Sequence, residues 1–211
     1  MNNKPSGKIS LDGLFRQNIV LMSGLVTAPI VVAATTFERA LVLTLSFLMI
    51  SYSTILICRF VPRRIVYTVR IILYAAVAAV MYIPTALLLG ALFPETSATV
   101  SIYIEIIVVN SLILAKTESR FYLMPYGEMA VDALIYVLGY AIAAFAVGII
   151  RELLAFGSLF GLRVCDPLMP AAKTPFFGFL LLGILAAVCR GITTRRRNRS
   201  EQTGLIRKGA E

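Results

Sequence analysis

Polar side chains interrupt an apolar run near the middle of the chain. Residues 102–120 are rich in Ile, Val and Leu, but this stretch carries Glu105, Asn110 and Ser111. Polar groups are costly in hydrocarbon, so they usually face protein or a water-filled cavity. A short helix with such an interruption is typical of a binding site for an ion or a small solute at the bilayer midplane. Alternatively, Asn110 and Ser111 only bond a neighbouring helix.

The Glu105 carboxyl allows two interpretations. In one it coordinates an ion or carries a proton, because a carboxyl in hydrocarbon is costly to keep. In the other its side chain reaches the membrane surface or pairs with an arginine. A second interruption, Thr27-Ala28-Pro29, lies in the first apolar run, where the proline predicts a broken or kinked helix. Thr27, Ala28, Pro29, Glu105, Asn110 and Ser111 are the candidate midplane site.

The composition indicates an integral membrane protein. Hydrophobic residues make up 59 % of the chain, charged residues 15 %, and the mean hydropathy is +0.86. A soluble domain averages about 45–50 % apolar and about 25 % charged residues. The net charge of +9 could suggest nucleic acid as a partner, but the basic residues lie between the apolar runs and not along a soluble face.

The apolar runs predict an all-α transmembrane fold of six helices. The predicted helices cover residues 19–36, 40–58, 69–92, 100–115, 129–150 and 175–189, with a polar turn at 93–97 and a long loop at 153–174. They divide the chain into an N-terminal segment at 1–17, a membrane domain at 18–190 and a basic tail at 191–211. An even number of crossings with the N-terminus inside puts 16 of the 20 Lys and Arg residues on the cytoplasmic side, which favours cytoplasmic termini.

The six predicted helices form two halves of three. The first helix of each half is interrupted, and a similar polar cluster follows each interruption: Thr36-Phe37-Glu38-Arg39 and Thr117-Glu118-Ser119-Arg120. An odd number of helices in each half would make the halves inverted in the membrane, as in many transporters. We interpret Arg151 and Glu152, at the end of the fifth predicted helix, as interfacial anchors.

Few residues in this chain could hold a metal. It has no histidine, and Cys58, Cys165 and Cys189 are far apart, without a ligand spacing. We therefore expect no metal site, and we find no catalytic set. A nicotinamide site is also not indicated, because no G-x-G-x-x-G follows a predicted strand.

The order of several short motifs resembles a known family, the RnfE/NqrD membrane subunits of Rnf and Na⁺-pumping NADH:quinone oxidoreductase complexes. The matching segments are Ser23-Gly24-Leu25 with Pro29 and Thr35-Thr36, Arg59-Phe60-Val61-Pro62, Ile107-Val108-Val109-Asn110, Asp132-Ala133-Leu134 and Ile150-Arg151-Glu152-Leu153-Leu154. The resemblance implies a multi-pass subunit of a prokaryotic cytoplasmic membrane. Its implied partners are an inverted RnfA/NqrE-like paralogue, other Rnf/Nqr-like membrane subunits, and subunits that carry flavin and iron–sulfur groups.

In that family, paired subunits share a [2Fe-2S] cluster, to which each contributes two cysteines. This sequence departs from the pattern, because the corresponding positions hold Ala28 and Ser111. Alanine cannot bind iron, and serine is a poor substitute for a soft thiolate. We therefore expect this chain alone to bind no cofactor.

Three functions stay open from the sequence. The first is a subunit of an Rnf-like complex that couples electron transfer between ferredoxin and NAD to Na⁺ or H⁺ translocation, with a lost or altered cluster site. Such a subunit would not be catalytic on its own. The second is a diverged paralogue that binds or transports a small solute or ion. The third is a structural membrane partner with no site of its own.

Overall fold

The computed structural model describes residues 18, 20–24, 26–62, 64–110, 113, 117, 118, 121 and 124–208, with side chains up to 194. The fold is mostly α-helical. The helices are α1 (Thr27–Ala33), α2 (Phe37–Phe47), α3 (Ser53–Cys58), α4 (Tyr67–Leu92), α5 (Pro94–Val108), α6 (Tyr126–Phe156) and α7 (Pro175–Lys208). A π-helical segment (Leu48–Tyr52) joins α2 to α3. A two-stranded hairpin, β1 (Ser158–Leu159) and β2 (Leu162–Arg163), and a 3₁₀ turn (Pro170–Lys173) lie between α6 and α7.

Within the described residues, four helical spans are long and apolar enough to cross a membrane: Phe37–Cys58, Tyr67–Leu92, Tyr126–Phe156 and Pro175–Thr194. The prediction of a multi-pass α-helical membrane protein is confirmed. The other two apolar runs form the shorter helices α1 and α5. At 1.5 Å per residue these are about 10 and 22 Å long, shorter than a hydrocarbon core of about 30 Å.

Several helix ends differ from the sequence prediction. The helix predicted from residue 40 begins at Phe37, because the Thr36 side chain accepts a hydrogen bond from the Arg39 N–H and caps its first turn. The predicted turn at 93–97 is reduced to Phe93. Helix α5 begins at Pro94, in its first position, where the missing proline N–H has no intrahelical partner to lose.

The fifth and sixth predicted helices are both longer than expected. Helix α6 continues past residue 150 to Phe156 and ends where Gly157 adopts a left-handed conformation, with φ of 64°. Helix α7 continues past residue 189 to Lys208, into the predicted tail. Arginine and glutamine favour helix nearly as well as apolar residues do, so loss of hydrophobicity alone does not end a helix.

The core forms where α6 packs against α2. The Phe47 and Tyr140 rings stack across this contact, with centroids 4.1 Å apart. Gly148 permits the close approach, because a Cβ there would lie 2.9 Å from the Ala40 Cβ and 3.0 Å from the Thr36 carbonyl oxygen. In the most apolar window of α6, 61 % of the residues are buried, against 17 % in α4 and in α7. Helices α4 and α7 therefore form the periphery.

Candidate functional site at the helix breaks

The first helix break lies before Pro29. Gly24 and Val26 both have positive φ, 66° and 55°, and α1 begins immediately afterwards at Thr27. Pro29 therefore occupies the first turn of α1, where proline is tolerated because the missing N–H would have no partner. The interruption predicted at this sequence exists, but the proline lies within the first turn of the new helix and does not kink a longer one.

A buried arginine binds the C-terminal end of α1. Arg151 of α6 is fully buried, and its Nη1 donates to the carbonyl oxygens of Val31 at 2.6 Å and Ala34 at 3.3 Å. These carbonyls lie at the negative end of the helix dipole, where a cation is favourable. Arginine presents five donors in a fixed fork, which suits a cluster of carbonyl acceptors.

The same guanidinium also holds the segment that leads into α7. Its Nε donates to the carbonyl of Ala172 at 2.9 Å, and Nη2 donates to those of Lys173 and Thr174 at 2.9 and 3.2 Å. Gly178 lets α7 come close, because a Cβ there would collide with the Val31 carbonyl oxygen. One side chain therefore joins α1, α6 and α7.

The neighbouring glutamate binds the start of α2. Glu152 is 3 % exposed, and its Oε2 accepts a hydrogen bond from the Phe37 N–H at 2.7 Å. Its Oε1 accepts from the Gly161 N–H at 3.1 Å and the Ser158 hydroxyl at 3.3 Å, both in the hairpin segment. A carboxylate at a helix N-terminus satisfies free N–H groups and interacts favourably with the dipole. The interpretation of Arg151 and Glu152 as interfacial anchors is therefore wrong.

A cleft lies beside Glu152, between the start of α2 and the hairpin. Its volume is about 410 Å³, and it is lined by Thr36, Phe37, Glu38, Leu41, Glu152, Phe156, Ser158, Phe160 and Gly161. The Phe37 ring contacts both Phe145 and Phe160, with centroids 5.1 and 4.3 Å away. Since Glu152 already accepts three hydrogen bonds, its carboxylate acts here as a structural acceptor.

The second helix break is bridged by Asn110. Helix α5 ends at Val108, and the Asn110 amide donates to the Ile107 carbonyl at 2.6 Å while its Oδ1 accepts from the Ile113 N–H at 3.1 Å. The amide also donates to the Ser51 hydroxyl at 2.7 Å, in the π-helical segment. Asn110 is 4 % exposed. It therefore satisfies backbone groups that the break leaves free and joins the break to the second span.

A second asparagine, Asn18, makes a similar set of bonds near the first break. Its Oδ1 accepts from the Val20 and Leu21 N–H groups at 2.9 and 3.0 Å, and its amide donates to the Gly139 carbonyl of α6 at 2.8 Å. Asn18 is fully buried. Sequence reasoning missed this residue because it lies just before the first apolar run, although asparagine commonly bonds the backbone N–H groups that follow it.

The candidate midplane residues differ in their surroundings. Pro29 and Asn110 are buried, Thr27 is half-buried, and Ala28 and Glu105 are exposed; Ser111 lies outside the described residues. Glu105 is exposed on α5, whereas Asn110 lies beyond the end of that helix at Val108 and is buried. Glu105 therefore faces outward and does not share a cavity with Asn110. That these six residues form a binding site stays a prediction.

The three cysteines lie in different parts of the fold. Cys58 is buried at the end of α3, Cys165 is exposed in the loop after β2, and Cys189 is half-buried on α7. Within the described ranges, no three His, Cys, Asp or Glu side chains lie together as a metal-binding group.

The fold defines a class: an α-helical membrane protein in which two of the apolar segments form short helices, each next to a helix break. Residues 7–186 match the family model described as "Rnf-Nqr subunit, membrane protein". The chain belongs to this Rnf-Nqr family of membrane subunits. The family resemblance read from the sequence motifs is thereby confirmed.

The chain is similar to the NqrD subunits of Na⁺-translocating NADH-quinone reductases. The proteins from Yersinia enterocolitica and Yersinia pestis are each 27 % identical to it over 165 residues, which cover 78 % of this chain and 79 % of each relative. These relatives confirm the predicted RnfE/NqrD branch.

Proposed function

We propose that this protein is a membrane subunit of an Rnf-like complex that couples electron transfer between ferredoxin and NAD to Na⁺ or H⁺ translocation. The observation that carries the proposal is the family match over residues 7–186. The similar proteins are NqrD subunits of Na⁺-translocating NADH-quinone reductases, which supports it. The chain acts with other Rnf/Nqr-like membrane subunits, an inverted RnfA/NqrE-like paralogue among them, and with subunits that carry flavin and iron–sulfur groups.

The two breaks support an inverted repeat of three plus three helices. Asn18, six residues before Gly24 at the first break, donates to Gly139 in the second half of the chain, and Asn110, at the second break, donates to Ser51 in the first half. Each of these bonds joins one half of the chain to the other. The Lys and Arg distribution supports cytoplasmic termini in a prokaryotic inner membrane.

The donor set of this chain does not fit the cluster that the family implies. A [2Fe-2S] cluster needs thiolate ligands, and the two family positions hold Ala28 and Ser111. Cys58, Cys165 and Cys189 lie at a helix end, in a loop and on α7, apart from the two breaks. The chain serves the complex as a scaffold and as a wall of the ion path.

Copurification tests the proposed function. The full chain with a C-terminal tag is purified from native membranes in mild detergent, and the accompanying proteins are identified and quantified by mass spectrometry. We expect flavin-bearing and iron–sulfur subunits in a fixed ratio to this chain. Isolation of the chain alone, or as a homo-oligomer, overturns the proposal and leaves the solute-binding function for testing.

The cluster part of the proposal has its own test. In the same complex, Cys58→Ala, Cys165→Ser and Cys189→Ser are combined, and iron content and the electron paramagnetic resonance spectrum are measured. If this chain supplies no thiolate, both stay unchanged. A loss of iron from a complex that retains its subunits contradicts this part alone.

A further inference from the structure

One ionisable side chain, Glu105, lies on the outside of the helix bundle in the second half of α5. Glu105 is exposed, eleven residues after the start of α5 at Pro94, or about 16 Å along the helix. This distance is about half of a hydrocarbon core of about 30 Å. The exposed neighbours Ile102 and Ile106 are apolar. Ionisable residues in membrane helices face protein or water. An outward carboxyl at this depth is therefore not expected on a helix that faces lipid.

Within the described part of the chain, the hydrogen-bond partner of Glu105 is Tyr82. The Tyr82 hydroxyl of α4 donates to the Glu105 Oε1 at 3.4 Å, a long hydrogen bond. Tyr82 is near the middle of α4, so both groups lie at similar depth. A carboxylate can accept about four hydrogen bonds, and lipid tails offer no donor. Within the described residues, Tyr82 therefore uses only part of the acceptor capacity of Glu105.

Small residues flank this pair on both helices. On α4, Ala75, Ala79, Ala86 and Gly90 recur with Tyr82 at intervals of three or four residues and so lie along one stripe. The space beside Gly90 is open, since a Cβ there would meet nothing within 4 Å. On α5, Ser101 lies one turn before Glu105 and Ala98 lies two turns before it. Small residues let the backbone of another membrane helix approach closely.

We propose that this α4–α5 face, formed by the small-residue stripe and the Tyr82–Glu105 pair, binds a membrane-spanning helix of a different subunit. That helix presents a hydrogen-bond donor to Glu105 near the bilayer centre. The proposal rests on the proposed function in one respect, which is that partner subunits exist. It adds the surface and the chemistry of the contact.

A second copy of this chain fits the face poorly. A symmetric dimer places the same patch of both copies together, so it would bring two Glu105 carboxyls to one contact. Like charges that close together in a dry interface are unfavourable. A different subunit with an amide, hydroxyl or cationic side chain at this depth is the complementary occupant.

Photo-crosslinking in native membranes tests the proposal. Benzoylphenylalanine replaces Ile102 on the α4–α5 face or, as a control, Val80, which lies on the far side of α4 from Tyr82. Ile102 and Val80 are 58 % and 59 % exposed, so the two sites are equally accessible and differ in the face of the bundle on which they lie. We expect a crosslink from position 102 to one membrane helix of another subunit, with a hydrogen-bonding side chain in the crosslinked segment, and about a fivefold lower yield at position 80.

Two substitutions then separate hydrogen bonding from general proximity. Glu105→Gln keeps an acceptor and should preserve the crosslink at position 102, whereas Glu105→Leu should reduce it about fivefold. Ala79→Leu, which fills the stripe without touching the carboxyl, should reduce it as well. Each variant is first checked for a monodisperse elution profile.

Several outcomes overturn the proposal. They are a crosslink to a second copy, a crosslink only to lipid, equal yields at positions 102 and 80, or a yield that Glu105→Leu leaves unchanged. If the complex copurifies intact but position 102 gives no subunit crosslink, the interface is elsewhere and the proposed function stands. If no subunits copurify and the chain crosslinks only to itself or lipid, both fail.

Discussion

Arg151 and Glu152 are adjacent on α6, and their side chains bind the two sides of the turn that joins α1 to α2. The Arg151 guanidinium donates to the carbonyl oxygens at the end of α1, and the Glu152 carboxylate accepts from the first N–H of α2. The ends of the two helices have opposite partial charges, and each side chain has the complementary charge. The Arg-Glu pair therefore fixes the angle at which α1 passes into α2.

Removal of the guanidinium should destabilise the protein strongly. Arg151→Met leaves the carbonyls at the end of α1 and before α7 without their donors, in a buried position. We expect a loss of about 3–5 kcal/mol in the free energy of unfolding, and a smaller loss for Arg151→Lys, which keeps the charge but not the fork. Thermal unfolding in detergent measures both. Arg163→Met, in the exposed strand β2, is the control and should change the midpoint little.

Neutralising the neighbouring carboxylate should have a moderate effect. In Glu152→Gln the side-chain NH₂ is a donor that faces the donors of Phe37, Ser158 and Gly161, so at least one of their bonds is lost. We expect a cost of about 1–3 kcal/mol in unfolding free energy. Glu95→Gln is the control, because Glu95 is an exposed glutamate in the first turn of α5. An equal loss in both variants would contradict a specific role for Glu152.

The sequence predicts the apolar spans and both interruptions, but not what holds the interruptions in place. Periodicity and composition are local signals, and they locate spans and polar breaks. The partners of Arg151 at Val31 and Ala34, and of Glu152 at Phe37, lie more than a hundred residues away in the chain. A local pattern carries no information about such pairs, so these residues resemble ordinary charges at a helix end.

The surroundings of Pro29 and Glu105 also depend on more than the local sequence. The proline signal indicates a break, but only the positive φ of Gly24 and Val26 puts the break before it. The direction in which Glu105 points depends on how α5 rotates against α4, which the run of residues 102–120 does not fix.

Asn110 and Ser51 should be energetically coupled. Their 2.7 Å hydrogen bond joins the second break to the π-helical segment. A double-mutant cycle consists of Asn110→Ala, Ser51→Ala and the double variant. We expect a coupling energy of about 0.5–1.5 kcal/mol. Asn110→Ala should be the more damaging single change, because it also leaves two backbone groups without their hydrogen bonds. Additive effects of the two substitutions, measured by unfolding in detergent, would rule out the coupling.

The buried phenol of Tyr140 should be dispensable for stability. Its ring stacks on Phe47, but within the part of the chain that the structure describes its hydroxyl has no hydrogen-bond partner. Tyr140→Phe keeps the stacking and removes an unpaired polar atom. We therefore expect the free energy of unfolding to stay unchanged or to rise, by at most about 1–3 kcal/mol. Tyr74→Phe is the contrast, since the Tyr74 hydroxyl donates to Glu118 at 2.6 Å and its loss should destabilise. Destabilisation by Tyr140→Phe would point to a partner for that hydroxyl in the assembled protein.

The native cysteines offer a direct test of the proposed orientation. Cys165 is exposed in the loop after β2, which the Lys and Arg distribution puts on the outer side of the membrane, whereas Cys58 is fully buried. A maleimide that cannot cross the cytoplasmic membrane is added to cells in which that membrane is intact and any outer membrane has been permeabilised. It should label Cys165, and the label should disappear in Cys165→Ser. Cys58 should stay unlabelled until the protein is denatured. If Cys165 reacts only after the cytoplasmic membrane is opened, the orientation is reversed and both termini lie outside.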